Sequence, residues 1–426
     1  MVMISRWRPY FLGFLGVAVI TFPFLWLQLA PNFANNTVTV AWAPAHGLQF
    51  FSDLSFVFIA GLLIWLGIRA NRWFGWGRTL SEHPFSRRAM HHWQLYWAWS
   101  TMALVLTGPF FLSPSSLSLM TYVGIYMLLA LGLNITVGMT GLLVLGYAGF
   151  YAFGAYFFAL GQQNLPYFPW WLAAPLAFPL GGLVGYLLGL PCLRLRGDYL
   201  AIVTLGFAEA FRETIRNLDF TGGDQGIILR DKFIFGRIGS GIHPLLTSGQ
   251  VGYIVTALVL FLAVFLVQRL FHSPIGRAWI AIRENEIAAA AVGIPVVQMK
   301  LLAFSLSAAI AAVAGVLSGA KDGFVSPVIC EFQQSIIVLA MVILGGLGNS
   351  YGALLGAALL YLVPEYLKRI SMLSDTTMLP PFLRDSLEHL SDYRLLLFGA
   401  VMVLMMLYRP QGLLGSSRRK TEMLNK

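Results

Sequence analysis

The sequence predicts an all-α, polytopic integral membrane protein of about 10–12 transmembrane helices, some of them broken or re-entrant. Three observations carry that prediction. Hydrophobic residues make up 58% of the chain and charged residues 11%, against about 25% charged in a soluble domain. That is too little charge to cover a water-facing surface, so lipid must solvate much of the chain. Aromatic residues reach 14%, including 12 Trp and 32 Phe, as suits helix ends seated in the bilayer interface. The 43 glycines fall without a triplet period, which excludes collagen and suits close helix packing in lipid. A soluble enzyme, a nucleic-acid binder and a disordered chain are excluded at this step.

Runs of about 20 apolar residues span a hydrocarbon core about 30 Å thick. Candidate spans lie near 11–30, 48–68, 94–112, 118–136, 138–160 and 170–190, and again near 199–215, 250–270, 300–319, 333–348, 351–367 and 393–408. The first run exceeds the 7–15 residues usual for the core of a signal peptide, and Pro31 makes a poor cleavage site, so a retained helix is expected. The 333–348 span is short and ends in GGLG, so it reads as re-entrant or broken. Spans 118–136 and 138–160 meet at GMTG with almost no loop. With the N-terminus inside, 18 of the 28 Lys and Arg fall on the inner side, which sets the orientation and places both termini in the cytoplasm. The same bias explains the net charge of +10 without nucleic acid. Residues 1–117 read as an N-terminal transmembrane extension, 118–415 as the core, and 416–426 as a basic cytoplasmic tail.

Chemistry-bearing groups are sparse. Cys192 and Cys330 cannot build a disulfide framework or a zinc site, and in this topology they lie on opposite faces of the membrane. The seven His show no metal-ligand spacing, so no metal and no cofactor are expected. TGGDQGI (221–227) lacks the Gly-Lys-Ser/Thr ending of a phosphate loop, and reads as a tight turn in an external loop. No catalytic constellation of nucleophile and base appears in the spans.

Three segments carry the functional signal. In GLNITVGMTGLLVLGYAGFYAFGAY (132–156), glycines permit either close packing or a helix broken inside the membrane, where freed backbone groups can handle a polar solute. Asn134, Gly138, Gly141 and Gly146 are the candidates for that path, beside a plain packing role. In LRLRGDYLAIVTLGFAEAFRETIRN (193–217), Asp198 is placed to cap the following helix. Glu209 and Arg212, three residues apart, share a helix face and read as a structural ion pair. Residues 271–300, FHSPIGRAWIAIRENEIAAAAVGIPVVQMK, are too polar to span and too patterned for a linker. Arg277, Arg283, Glu284 and Glu286 alternate there with small apolar residues, as in a cytoplasmic helix that docks in a partner's groove. A helix lying on the membrane surface is the alternative.

Taken with GFVSPVICEF, VLAMVILGGLGNSYGALLGA and the terminal YRPQGLLG, these motifs resemble, in order and over roughly 118–415, the inner-membrane permease subunits of branched-chain amino-acid ABC importers of the LivM type. The resemblance implies a multi-pass subunit of the bacterial inner membrane. It also implies a second homologous permease, two cytoplasmic ATP-binding subunits and a periplasmic solute-binding protein as partners, with no nucleic acid. Arg277, Arg283, Glu284, Glu286, Ala288, Ala289 and Gly293 then fall on the loop that couples to the ATPases. The chain has no Walker A sequence, so hydrolysis belongs to the partners and this subunit is not itself an enzyme. Within the family, a urea or short-chain amide importer is the alternative. From another class, an ion-coupled secondary transporter needs intramembrane carboxylates, and Glu209 is the one candidate. Residues 371–394 look divergent and longer than the family pattern.

Overall fold

The computed structural model describes residues 27–32, 37–42, 114–165, 167–192, 198–229 and 247–371, with Gly399, Val403, Leu407, Gly412 and Leu413. The chain divides into two compact units, residues 1–117 with 367–392, and residues 118–366 with 393–426.

In the first unit, residues 27–32 and 37–42 form an antiparallel hairpin. Strand β1, Leu27–Asn32, pairs with β2, Thr37–Trp42, in a register that sets Leu27 opposite Trp42 and Asn32 opposite Thr37. This corrects the first expected span, because a helix over 11–30 cannot include Leu27–Ala30. The alternating TVTV of β2 carries the β-branched, period-two signal of a strand. The expected spans at 48–68 and 94–112 lie outside the described residues, and of 393–408 only Gly399, Val403 and Leu407 are described.

The second unit is helical. Helix α1 (Pro114–Leu133) continues into a π-helical segment, Asn134–Thr140, that ends at Gly141. Residues 141–146 are irregular, and α2 (Tyr147–Asn164) follows. Six irregular residues therefore separate the two spans that the sequence sets together at GMTG with almost no loop. Helix α3 (Trp170–Cys192) contains Pro175, Pro179 and Pro191, and α4 (Asp198–Asn217) follows. After the TGGDQG turn, β3 (Ile227–Ile228) pairs with β4 (Phe324–Val325). Helix α5 (Ser248–Phe271) opens with a capping box between Thr247 and Gln250.

Short helices α6 (Pro274–Glu284) and α7 (Glu286–Ala291) start at Ser273 and Asn285, whose side chains accept from the first free amides. Helix α8 (Val296–Asp322), α9 (Phe332–Gly345) and α10 (Ser350–Ser371) complete the unit. Among the described residues, four stretches are long and apolar enough to cross a membrane, 114–140, α3, α5 and α8, while 332–345 and 350–365 are shorter apolar helices.

Helix α8 is the centre of the core, buried from Ser307 through Ala320. Its Ala, Ser and Gly residues let α2 and α3 approach to backbone contact. A Cβ on Gly315 would stand 2.0 Å from the Tyr151 carbonyl oxygen, and one on Gly154 would stand 1.9 Å from that of Ala312. Small residues at such crossings drive helix association where lipid removes the hydrophobic incentive. Leu183, Leu187, Leu262 and Phe265 are exposed, as lipid-facing surfaces of α3 and α5 require.

Candidate coupling and translocation site

The broken helix and the amphipathic segment, separate in sequence, meet at one end of the bundle. Extra residues per turn in a π-helix displace the backbone from its regular ladder, and such segments recur at functional sites. Here Thr140 Oγ1 donates to the Thr136 carbonyl at 2.7 Å, and Thr136 Oγ1 to that of Leu133 at 3.0 Å. The backbone amides of Gly141 and Leu142 both donate to Thr136. The carbonyl of Gly138 accepts a hydrogen bond from Arg283 Nη1 of α6.

Asn134 is buried and its Oδ1 accepts from the Gly348 amide at 2.9 Å. Its amide nitrogen is buried without a partner among the described residues. Gly138 is the reason these groups can meet. A Cβ there would lie 2.0 Å from Asn134 Oδ1 and 2.6 Å from the Gly348 amide nitrogen. Gly141 faces the aliphatic stem of Arg283, while Gly146 lies against the Thr204 carbonyl of α4. Thr204 Oγ1 also accepts from the Leu145 amide, and Ser335 Oγ from the Ala148 amide, so α4 and α9 hold the start of α2. The C-terminal Gly-Leu pair joins the same place, with the Leu413 amide donating to Leu344.

The segment over 274–294 is anchored by Trp279. Its ring is fully buried among Leu131, Ile135, Met139, Val267, Ala303 and Ile310, and its Nε1 donates to the Met299 carbonyl at 2.7 Å. Those neighbours lie on α1, the π-segment, α5 and α8. One side chain thus ties α6 to three apolar helices.

Beyond α6, the anchor becomes a surface. Ile287 is 80% exposed and Val292 77%. Glu284, Glu286, Ala288 and Gly293 are also exposed, whereas Ala289 is buried against its own subunit. Ala289 is therefore removed from the outward-facing set. Gly293, at φ +85°, terminates α7, and its preceding turn closes by Ile294 N–H to the Ala289 carbonyl. Arg277 donates to the His272 carbonyl at 3.4 Å. Glu286 pairs with Lys300 at 2.7 Å, and Lys300 is buried.

Away from this junction, Arg212 Nε contacts Glu209 Oε2 at 2.7 Å, in a chain of ion pairs running through Glu213 and Arg216 to Asp224. Glu209 is thus engaged by a guanidinium. Asp198 begins α4. No group of three His, Cys, Asp or Glu placed to hold a metal occurs among the described residues.

Gly348, Thr204, Ser335, Lys300, Ile287 and Val292 were not singled out from sequence. The GGLG ending of α9 was the available signal for the first. The others depend on tertiary placement.

A bundle of apolar helices, one turning π-helical at a buried Asn and gripped at Gly138 by an arginine from a polar surface segment, defines a multi-pass membrane protein. The chain belongs to the family described as the branched-chain amino acid transport system/permease component, matched over residues 115–406. It is 40% identical over 338 residues to the high-affinity branched-chain amino acid transport system permease protein LivM of Salmonella typhimurium, covering 74% of each chain. It is 39% identical over 345 residues to LivM of Escherichia coli, covering 76% of each. The LivH permease protein of Salmonella typhimurium is 29% identical over 203 residues, 46% of this chain and 58% of that one. No solved structure matches significantly.

Proposed function

We propose that this chain is the LivM-type subunit of an ATP-driven importer in the bacterial inner membrane, passing branched-chain amino acids from a periplasmic binding protein to the cytoplasm. Its partners are a second, LivH-like permease and two cytoplasmic ATP-binding subunits. Resemblance to permeases so named supports the solute and the partner set.

The observation that carries the mechanism is the hydrogen bond from Arg283 to the Gly138 carbonyl. ATPase docking on the exposed Ile287 and Val292 surface moves α6 and α7 as a unit. Trp279 and Arg283 pass that movement to the π-segment, where Asn134 and the irregular backbone of 141–146 offer polar groups to a solute. A bond to a charged donor is worth about 1.5–3 kcal/mol, comparable with the coupling energy of an ordinary two-state switch.

The test is ATP-dependent uptake of L-leucine into vesicles bearing the coexpressed subunits and the binding protein, with copurification of the ATPases. Ile287→Asp with Val292→Asp should abolish copurification and uptake while the subunit stays in the membrane. Ile228→Asp, at an equally exposed site on β3, should retain both. Full uptake in the double variant refutes the docking surface, and uptake without ATP or binding protein refutes the importer.

A further inference from the structure

The opposite half of α1 borders a second feature. A cavity of about 450 Å³ opens between α1, α8, α9 and α10, at the size of small-molecule sites. Tyr122, Tyr126 and Tyr361 stack along one wall, with ring centroids 4.8 Å apart for Tyr126 and Tyr361 and 6.0 Å for Tyr122 and Tyr361. Asp322, the last residue of α8, receives the Tyr122 hydroxyl on one oxygen and Ser318 Oγ on the other at 3.4 Å. Gln334 of α9 donates to the Tyr126 hydroxyl at 2.6 Å, and Ile337 completes an apolar patch. The charged residues in the lining are Asp322 and Glu331, both acidic, while Lys321 Nζ lies over the Tyr122 ring at 4.9 Å from its centroid, which leaves the rings of Tyr126 and Tyr361 for a ligand.

Aromatic faces beside a carboxylate are the combination that holds an organic ammonium, through the ring quadrupole and the anion together. An apolar patch across the same space suits an aliphatic side chain. We infer that this cavity is a transient solute site that takes the ammonium group of an aliphatic amine-bearing solute, Asp322 and the rings of Tyr126 and Tyr361 receiving the charge and Ile337 facing the hydrocarbon. This deepens the proposed function and rests on it for the solute's delivery. It selects amino acids over urea and neutral amides, which carry no cation. Tyr126 and Asn134 lie eight residues apart on one continuous helical stretch, about 12 Å along its axis.

Two measurements on the assembled importer test it. Ile337→Cys gives a thiol in the cavity, with the native cysteines buried. L-Leucine methyl ester, which keeps the amine and loses the carboxylate, should slow its modification by a methanethiosulfonate reagent. Isosteric 4-methylpentanoate, which lacks the amine, should not. Equal protection by both, or none by either, overturns the ammonium assignment. In transport, Tyr361→Leu should lower L-leucine uptake roughly fivefold to thirtyfold, the range of one lost cation–π contact, while Tyr361→Phe, which keeps the ring, stays near wild type. Stimulation of ATPase activity by the loaded binding protein should survive in both. Equal behaviour of the Leu and Phe variants, or loss of that stimulation in the Leu variant, overturns the site as a solute contact. Failure of the wild-type importer to move L-leucine would refute the proposed function instead, and leaves the protection assay standing as a separate test.

Discussion

Arg283 of helix α6 donates a hydrogen bond to the backbone carbonyl of Gly138, 145 residues earlier in the chain. The carbonyl is available because the π-segment does not follow the ordinary helical ladder. Gly138 allows the approach, since any side chain there would occupy the space of Asn134 Oδ1 and the Gly348 amide. A surface segment thereby grips the backbone of a membrane helix where that helix breaks.

Replacing Arg283 tests the grip. Arg283→Gln removes the charge and should lower ATP-driven uptake about tenfold or more, given about 1.5–3 kcal/mol for a charge-assisted bond. Arg283 lies away from the exposed Ile287 and Val292 surface, so the ATPases should still copurify. Uptake at wild-type rate would show that the bond holds structure without transmitting motion.

Gly138→Ala should be worse than Gly293→Ala, although Gly293 has the more unusual backbone. At Gly138 a methyl group meets Asn134 Oδ1 at 2.0 Å, an overpacking cost of about 1–3 kcal/mol. At Gly293 the Cβ meets nothing within 4 Å, so the cost is confined to the left-handed conformation, about 1–2 kcal/mol, and Gly293→Asn should recover most of it. Thermal denaturation of the purified complex, paired with uptake, ranks the three. Gly293→Pro remains incompatible, because proline fixes φ near −65°.

How much of this could be read beforehand depended on range. Long apolar runs bounded by Gly and Pro marked α3, α5 and α8 within a few residues, because burial in lipid is written into every position of a span. The polar segment over 271–300 stood out by its interleaved charge. Phase was harder. Helix α7 has six residues, less than two turns, so no periodicity distinguished buried Ala289 from exposed Ala288. The pairing of Arg283 with Gly138, and of Glu286 with Lys300, joins sites that no local pattern relates. The hairpin at 27–42 was legible in TVTV, but the neighbouring apolar run Leu27–Ala30 favoured a helix when hydrophobicity was weighed without its period.

Glu284 and Glu286 are exposed acids two residues apart in the same polar segment. The structure separates them. Glu286 pairs with Lys300, whose side chain is 11% exposed, while Glu284 is exposed at the end of α6. Glu286→Lys should destabilise the subunit by about 1 kcal/mol or more, because it sets a second cation against a buried one. Glu284→Lys should cost little. Lowered thermal midpoint for the first and not the second is the expected result. Equal midpoints would mean that Lys300 finds solvent or another partner.

Topology can be tested by thiol labelling, but not with the native cysteines. Both Cys192 and Cys330 are buried. Burial and the neighbouring Glu209 carboxylate push the Cys330 thiol up to about 12, so little thiolate is available to react at neutral pH. Both should therefore stay unlabelled in intact vesicles from either side, although the topology sets them on opposite faces. Exposed reporters are available instead. Ile228, 81% exposed on β3, follows the TGGDQG turn, and Ile287 is 80% exposed on α7. By the bias of basic residues toward one side, Ile228→Cys should react with an impermeant maleimide from the periplasm, and Ile287→Cys only after the membrane is opened to the cytoplasmic face. Reaction of both from the periplasmic side would break the assigned topology. It would also detach the segment over 274–294 from any cytoplasmic ATPase, since a docking surface must share a compartment with its partner.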